Sequence, residues 1–470
     1  MAFLPDILTP APDVRRPIVA VLEAALAAVD PYHATRAFLR REGDTLIAGS
    51  RRYDLARFRR VLVIGAGKAG APMAQAVESV LGDRIAAGLV VVKTGHGAAT
   101  QHVEIAEAAH PRPDAAGVDA GQRILALAQD AGPDDLVIAL LSGGGSALLV
   151  APAPGISLAD MQAMTDALLA SGATIHEINC LRKHCDSLKG GQLARAAAPA
   201  TLLTLALSDV VGSPLDVIAS GPTVPDATTW EDAWTIVRRY DLENRLPHTV
   251  LARLQLGRDG QLPDTPKPDD PVFARSQTVL VADNRVAAQA AAACAAGLGY
   301  HPLLLTTYLE GEAAQVAKVV VALGREILAH AAPVAPPACL ILGGETTVTL
   351  NQSGGMGGRN QELALAAALA LDSSADTATD DTATDAITVV SLATDGTDGP
   401  TDSAGGLVDG GTVRRGRAQG LDAEDHLRRH DAYPFLLATH DLLRTGPTQT
   451  NVNDLVFVFV GSPPPDQRKL

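Results

Sequence analysis

The chain has 470 residues, enough for two domains with separate cores, and its 38 basic against 53 acidic side chains leave a net charge of −15. That sign speaks against nucleic-acid binding, since a polyanion is met by a basic surface. No apolar run approaches the ~20 residues of a membrane span, and the amino terminus, MAFLPDILTPAPDVRR, lacks the basic start and apolar run of a secretory signal, so a cytoplasmic protein with no membrane partner is expected.

Residues 14–42 carry helical apolar spacing, with Pro31 as a break. The stretch VLVIGAGKAGAPMA, 61–74, then reads as a buried strand, a turn holding Gly65, Gly67, Lys68 and Gly70, and a helix running through Leu81. Backbone N–H groups at such a turn, the positive end of the helix dipole and a lysine together suit an anion, most naturally a phosphate. The glycine spacing fits the dinucleotide fingerprint G-x-G-x-x-G, but that fingerprint wants an acid near the end of the second strand. Lys93 stands there instead, which disfavours NAD and leaves NADP open. A Walker A loop is excluded, because Leu62 and Ala69 occupy its glycine and Ser/Thr positions. The plain alternative is a tight βα turn whose lysine is solvated.

Strand-like runs at 61–64, 89–93, 103–109, 136–141 and 201–207 alternate with helical ones, which predicts a parallel sheet with crossover helices. Each run ends in a polar or glycine-rich turn, namely GAGKAG, KTGHG, AHPRPD, SGGGSA and SDVVG. In open α/β sheets ligands bind outside the carboxyl ends of strands, so these turns are expected to share a cleft. Residues 254–275 are rich in Pro and Asp and read as a linker. Further strands are predicted at 278–282, 303–306, 338–342 paired with 346–350, 387–393 and 455–460. The expected division is therefore a domain at 1–253, the linker, and a smaller domain at 276–470. The low-complexity run 373–386, with DTATD in tandem, is expected to be a mobile surface loop.

Several constellations carry chemistry. Ser142, Gly143, Gly144, Gly145 and Ser146 lie between a buried strand and a helix, with bare backbone fit to surround an oxyanion or phosphate. A nucleophilic serine is disfavoured there, because the G-x-S-x-G elbow is absent. INCLRKHCDSLKGG gathers Arg182, Lys183, His184 and Lys189 in an acidic chain, as a binding cluster or as a solvated basic helix end. Asp209 directly follows a strand, where a carboxylate could hold Mg²⁺. Glu345 also follows a strand, and Arg359 and Asn360 open a helix after glycine-rich backbone, a setting for bidentate phosphate or carboxylate binding. ATDGTDGPTD presents Asp395, Asp398 and Asp402 as Mg²⁺ or general-base candidates, or as Asx-capped turns. Cys180, Cys185, Cys294 and Cys339 form no C-x-x-C, and His184 beside Cys185 lacks further ligands, so reduced structural thiols are expected.

Taken together, VIGAGKAG, LLSGGGSALL, INCLRKHCDSLKGG, LSDVVGSPLDVIASGPT, GGETTVTL, GGRNQELAL, ATDGTDGPTD and TGPTQTNVNDL resemble the glycerate 2-kinase family with a C-terminal MOFRL domain. They occur in the family's order over nearly the whole chain. The resemblance implies ATP- and Mg²⁺-dependent phosphorylation of D-glycerate at its 2-hydroxyl. It also implies a Rossmann-like first domain, a smaller α/β second domain with the MOFRL region at about 338–460, an active site in the cleft between them, and a possible homodimer. The family's important lysine maps to Lys68 and its arginine to Arg359. With these the candidate catalytic set is Lys68, Arg359 and Asp209. The binding candidates are Gly65, Gly67, Ser142 to Ser146, Lys183, Lys189, Glu345, Asn360, Asp395 and Asn451, and the metal candidates are Asp209 and Asp395. One departure stands out: Gln449 replaces the glycine of the family's TGPTGTN, which alters local geometry if that position needs positive φ. Family members also carry the name hydroxypyruvate reductase, which keeps an NADPH-dependent reductase as the rival. A non-catalytic sugar-acid-binding regulator is a third class, one that would not need so many carboxylates at strand ends.

Overall fold

The computed structural model describes residues 3–350, 354–372 and 386–463. The run read as a surface loop therefore lies, apart from Ala386, outside the described residues. The chain divides into two compact units, one of Pro31–Ala282 and one of Met1–Asp30 with Asp283–Leu470. They are called here the central and the split unit.

The central unit begins with an antiparallel three-stranded sheet, β1 (Leu39–Glu42), β2 (Thr45–Ala48) and β3 (Arg51–Asp54). Its main sheet comprises β4 (Arg60–Ala66), β5 (Ile85–Lys93), β6 (Glu104–Ala108), β7 (Asp135–Leu141), β8 (Thr201–Leu207) and β9 (Ser276–Ala282). All are parallel, in the order β6-β5-β4-β7-β8-β9. β7 (DLVIALL) and β8 (TLLTLAL) are buried at every position, the unbroken apolar pattern of strands covered on both faces. Leu62, Ile64, Val137 and Ala139 pack on one face with Ala120, Ile124 and Ala128 of the helix Ala115–Gln129. From β4 the chain winds outward to β5 and β6, then returns to add β7 on β4's other side. The sheet therefore reverses between β4 and β7, and the turns after those two strands flank the point where α/β sheets open a crevice.

In the split unit, β10 (His301–Leu309), β11 (Ala338–Gly344), β12 (Ile387–Ala393), β13 (Gly405–Asp409), β14 (Leu442–Leu443) and β15 (Asp454–Val460) form a mixed sheet. Its order is β10-β11-β15-β12-β13-β14, with only β10 and β11 parallel. The helices Ala313–His330 and Arg359–Asp372 bury Val320, Val321, Leu363 and Leu371 against it. Among the described residues no single helix is long and apolar enough to cross a membrane.

Three sequence expectations are corrected here. Residues 276–282 pair with β8 and complete the first sheet, so they do not open the second domain. The expected linker is stitched to the central unit: the helix His248–Arg258 buries Leu254, Asp264 meets His184 at 3.0 Å, and the Thr265 hydroxyl donates to Asp226 at 2.9 Å. Its aspartates serve side-chain hydrogen bonding, Asp264 with His184 and Asp270 accepting from the Val272 N–H. The run 346–350 is not a strand beside 338–342; β11 is a fully buried inner strand whose two sides are taken by β10 and β15. After Gly344, with φ +149° and Leu309 against its Cα, the chain leaves the sheet, and only Thr347 makes an isolated bridge to Glu312.

The helix Pro12–Ala28 belongs to the split unit because of Arg15, which is 1% exposed. Its guanidinium donates to Asp441 at 2.5 Å, to Asp409 at 3.0 Å, and to the Ile7 and His440 carbonyls at 3.0 Å each. Arg415 also holds Asp409 and Asp441, at 2.8 Å each, so Arg15→Ala strands neither carboxylate. It removes the donor to the Ile7 and His440 carbonyls and is expected to destabilise the protein by about 2–3 kcal/mol in denaturant unfolding. A loss under about 1 kcal/mol would contradict this account.

Candidate active site

The turn after β4 is built against β7. A Cβ on Gly65 would lie 2.2 Å from the Leu140 carbonyl oxygen, and one on Gly67, whose φ is +138°, 2.1 Å from Ser142 Oγ. Both glycines, read from sequence as facing a ligand, instead admit the neighbouring strand. Ser142 is buried, and its Oγ accepts from the Ala69 N–H at 3.1 Å, so it clamps the two turns together. The Lys68 N–H donates to the Gly143 carbonyl at 2.9 Å, fixing the lysine's main chain. Its side chain is half-buried, and its ammonium has no hydrogen-bond or ion-pair partner among the described residues.

The three glycines after β7 meet three different neighbours. Gly143 lies against the Asp209 carboxylate, and Gly145 against Ala219. Gly144 is left-handed, at φ +81°, and the His110 ring and Lys68 Cγ lie close against the side where a Cβ would stand. Ser146 shares a hydrogen bond with Ser220 at 2.8 Å, and the Ser220 hydroxyl donates to Asn179 at 3.1 Å. The structure thus brings Lys68, Gly143, Gly144 and Asp209 to one end of the parallel sheet. It adds two residues that sequence reasoning passed over. His96, from KTGHG, places Nδ1 3.3 Å from the Lys68 carbonyl oxygen, and His110 comes from AHPRPD. Both turns end strand-like runs in the sequence, and that position is the available signal. Burial, then Lys68, Lys93 and His96, pulls the His110 imidazole down to about 4.

The other predicted lysines are committed elsewhere. Lys183 is buried and pairs with Asp226 at 3.1 Å and Asp216 at 3.4 Å. Lys189 is buried, donating to Asp186 at 2.9 Å and the Leu149 carbonyl at 2.5 Å. Burial lowers its pKa while Asp186 pulls it back. The basic motif thus turns inward to carboxylates and offers no ligand-facing charge from these two residues. His184 is likewise held, by the Cys180 carbonyl and Asp264. All four cysteines are free, and burial pushes the Cys180 and Cys185 thiols up to about 12.

In the split unit, Arg359 opens the helix Arg359–Asp372 and is tied by its fork to Asp454, with Nε at 2.5 Å and Nη2 at 3.0 Å. Its Nη1 lies 3.0 Å from Glu345, whose other oxygen accepts from Asn453 at 2.7 Å. The Asn453 N–H in turn donates to Asn451 Oδ1 at 3.0 Å. Burial pushes the Asp454 carboxyl up to about 6 against the pull of Arg359. Glu345, Arg359 and Asn451 therefore do gather, with Asp454 and Asn453 as partners the sequence reading did not name.

Asn360 is fully buried: it donates to Asp398 and accepts from the Ser391 hydroxyl at 2.6 Å. Asp398 receives the Asn360 and Gln361 N–H groups and so caps this helix. Asp395 accepts from the Thr397 N–H and hydroxyl at 3.1 and 3.3 Å, the Asx turn that was the alternative to metal binding. Among the described residues no group of three or more His, Cys, Asp or Glu could hold a metal ion. Gln449 is exposed with φ +62°, so the glycine it replaces would have relieved a real constraint. Gln449→Gly is expected to raise unfolding stability by about 1 kcal/mol, and a loss of stability would contradict a strained turn.

Comparison with known proteins places this geometry in context. The family model described as Domain of unknown function (DUF4147) matches residues 18–255, and the MOFRL family model matches residues 338–454. A glycerate 2-kinase of Pyrococcus horikoshii is 40% identical over 450 residues, covering 96% of this chain and 98% of the relative. A protein of Agrobacterium vitis named as a hydroxypyruvate reductase is 44% identical over 403 residues, covering 86% and 87%. The crystal structure of a glycerate kinase from Thermotoga maritima aligns with TM-score 0.83 and 37% identity, over 95% of this chain and 99% of that one.

Proposed function

The chain belongs to the glycerate 2-kinase family, and we propose that it transfers the γ-phosphoryl group of ATP to the 2-hydroxyl of D-glycerate, giving 2-phosphoglycerate and ADP. The observation that carries this reading is Lys68: an unpartnered ammonium on a fixed main chain, where the parallel sheet reverses, with its stem against the glycine turn at Gly144. Phosphoryl transfer asks the protein mainly for positioning and for positive charge on the transferring oxygens. Lys68 supplies such a charge at the carboxyl end of the parallel sheet.

Mg²⁺ is implied by the reaction. It usually keeps several waters and takes only one or two protein carboxylates with substrate phosphates, so a single strand-end carboxylate, Asp209 beside Gly143, suits it. Bound there, the ion would neutralise phosphate charge. The protein's own residues orient the nucleotide's phosphates and keep the acceptor near them.

The reductase reading has the glycine fingerprint in its favour. Gly67 counts against it, because the space beside its Cα that a dinucleotide pyrophosphate would use is filled by Ser142 Oγ. The discriminating experiment supplies the purified protein with D-glycerate and MgATP and couples product through enolase alone, which accepts 2- but not 3-phosphoglycerate. Turnover in that assay is expected. Steady NADPH oxidation with hydroxypyruvate, and no ATP consumption with glycerate, would reverse the assignment.

A further inference from the structure

We propose that His110 is a second anion ligand of the Lys68 turn, one that takes up a proton when a phosphate-bearing ligand binds. The inference rests on the reading of that turn as the phosphate-handling site. A Cβ on Gly144 would lie 3.0 Å from His110 Cδ2, 3.1 Å from its Nε2 and 3.4 Å from Lys68 Cγ. The ring edge and the lysine stem therefore lie side by side against Gly144. His110 is half-buried, and neither ring nitrogen has a hydrogen-bond partner among the described residues.

The charged and titratable groups acting on the ring are Lys68 of the turn after β4, Lys93 at the end of β5, and His96 just beyond it. Glu107 acts on His96, and its two carboxylate oxygens already accept the Gly95 and Gly97 N–H groups at 3.2 Å each. A half-buried imidazole among cations is held neutral, which is why its pKa falls to about 4. A phosphate dianion arriving at Gly144 reverses that environment, because an opposite charge within a few ångströms favours the protonated ring. The bound-state pKa then lies above the free one. Between the two values, binding draws a proton from the buffer onto the ring, and affinity rises as pH falls from 8 toward 5. In the free protein the neutral ring leaves Lys68 without a close like charge, and in the complex it becomes the second cation.

The test is calorimetric titration of the full chain with inorganic pyrophosphate, in buffers of different ionisation enthalpy, at pH 6 and pH 8. Wild type is compared with His110→Gln, His96→Gln and Lys68→Ala. Pyrophosphate's own protonation is common to all four proteins, so differences between them isolate the side chains. His110→Gln is expected to remove most of the proton uptake at pH 6 and to weaken binding about tenfold there, with a smaller gap at pH 8. His110→Asn serves as a second neutral variant if glutamine does not fold. Uptake unchanged in His110→Gln, or lost in His96→Gln instead, would overturn the proposal. If Lys68→Ala weakens binding and His110→Gln does not, only the histidine's role fails. If neither variant changes binding, the reading of this turn as a phosphate site fails with it.

Discussion

Lys68→Ala is expected to lower kcat about 10²-fold, the loss typical of removing one contact made chiefly in the transition state. The expectation follows from where the residue stands. Its main chain is locked by the hydrogen bond to Gly143, at the reversal point of the sheet, while its ammonium has no partner among the described residues. A charge already paired, as in Lys183 or Lys189, could serve a phosphoryl group only by abandoning a buried carboxylate. Lys68 needs no such exchange. Charge spreads over the transferring oxygens as the reaction proceeds, so a fixed cation stabilises that state more than the bound nucleotide, and kcat should fall more than KM rises. Folding should persist, because removing a half-buried ammonium opens no core cavity. Lys68→Arg should recover little, since the broad guanidinium must fit where the lysine stem and the His110 ring already flank Gly144. A folded Lys68→Ala protein with near-normal kcat would leave the lysine as a solvated turn residue.

The strand–turn–helix around Lys68 was legible because its causes are local: four apolar residues in a row, then glycines, then helical spacing. The parallel sheet was legible for the same reason, as β4 to β8 each end in a polar turn. What the sequence hid was set by partners far along the chain. Residues 276–282 could pair with either sheet, and only the free edge of β8 decides between them. The leading helix was placed with its sequence neighbours, whereas Arg15 binds carboxylates 394 and 426 residues away. Lys183 and Lys189 look like surface charge until Asp226 and Asp186 are seen beneath them. Gly65 and Gly67 read as glycines of an anion-binding turn, and the atoms against their Cα positions belong to Leu140 of β7 and to Ser142 just after it. His96 and His110 each stand alone in sequence, and only the order β6-β5-β4 lays their turns beside Lys68.

Arg359→Ala is expected to have two separable effects, one on turnover and one on the pH dependence of stability. The guanidinium is about a third exposed and is already gripped by Asp454 and Glu345, so it meets a substrate as part of a preorganised cluster. Loss of a positioned, fork-shaped cation should reduce kcat about 10²-fold, with little rescue by lysine, which cannot hold Asp454 through two parallel bonds. The stability effect turns on Asp454. Its folded pKa, about 6, lies above the ordinary 3.8, so burial disfavours the charged form. The group's contribution to stability is therefore fully present below about pH 4 and is lost as pH rises through 6. Without Arg359 only the Asn360 amide still favours the buried carboxylate, the folded pKa climbs further, and the loss extends to higher pH. At pH 8 the variant should be less stable than wild type by about 3–5 kcal/mol, the range for stranding one member of a buried pair. Near pH 4 both proteins carry a protonated Asp454, and the gap should shrink to the small contribution of an exposed contact. Urea unfolding of the two proteins at these pH values measures the difference. A gap that stays constant with pH would mean that Arg359 supports the fold through packing and not by holding the Asp454 charge.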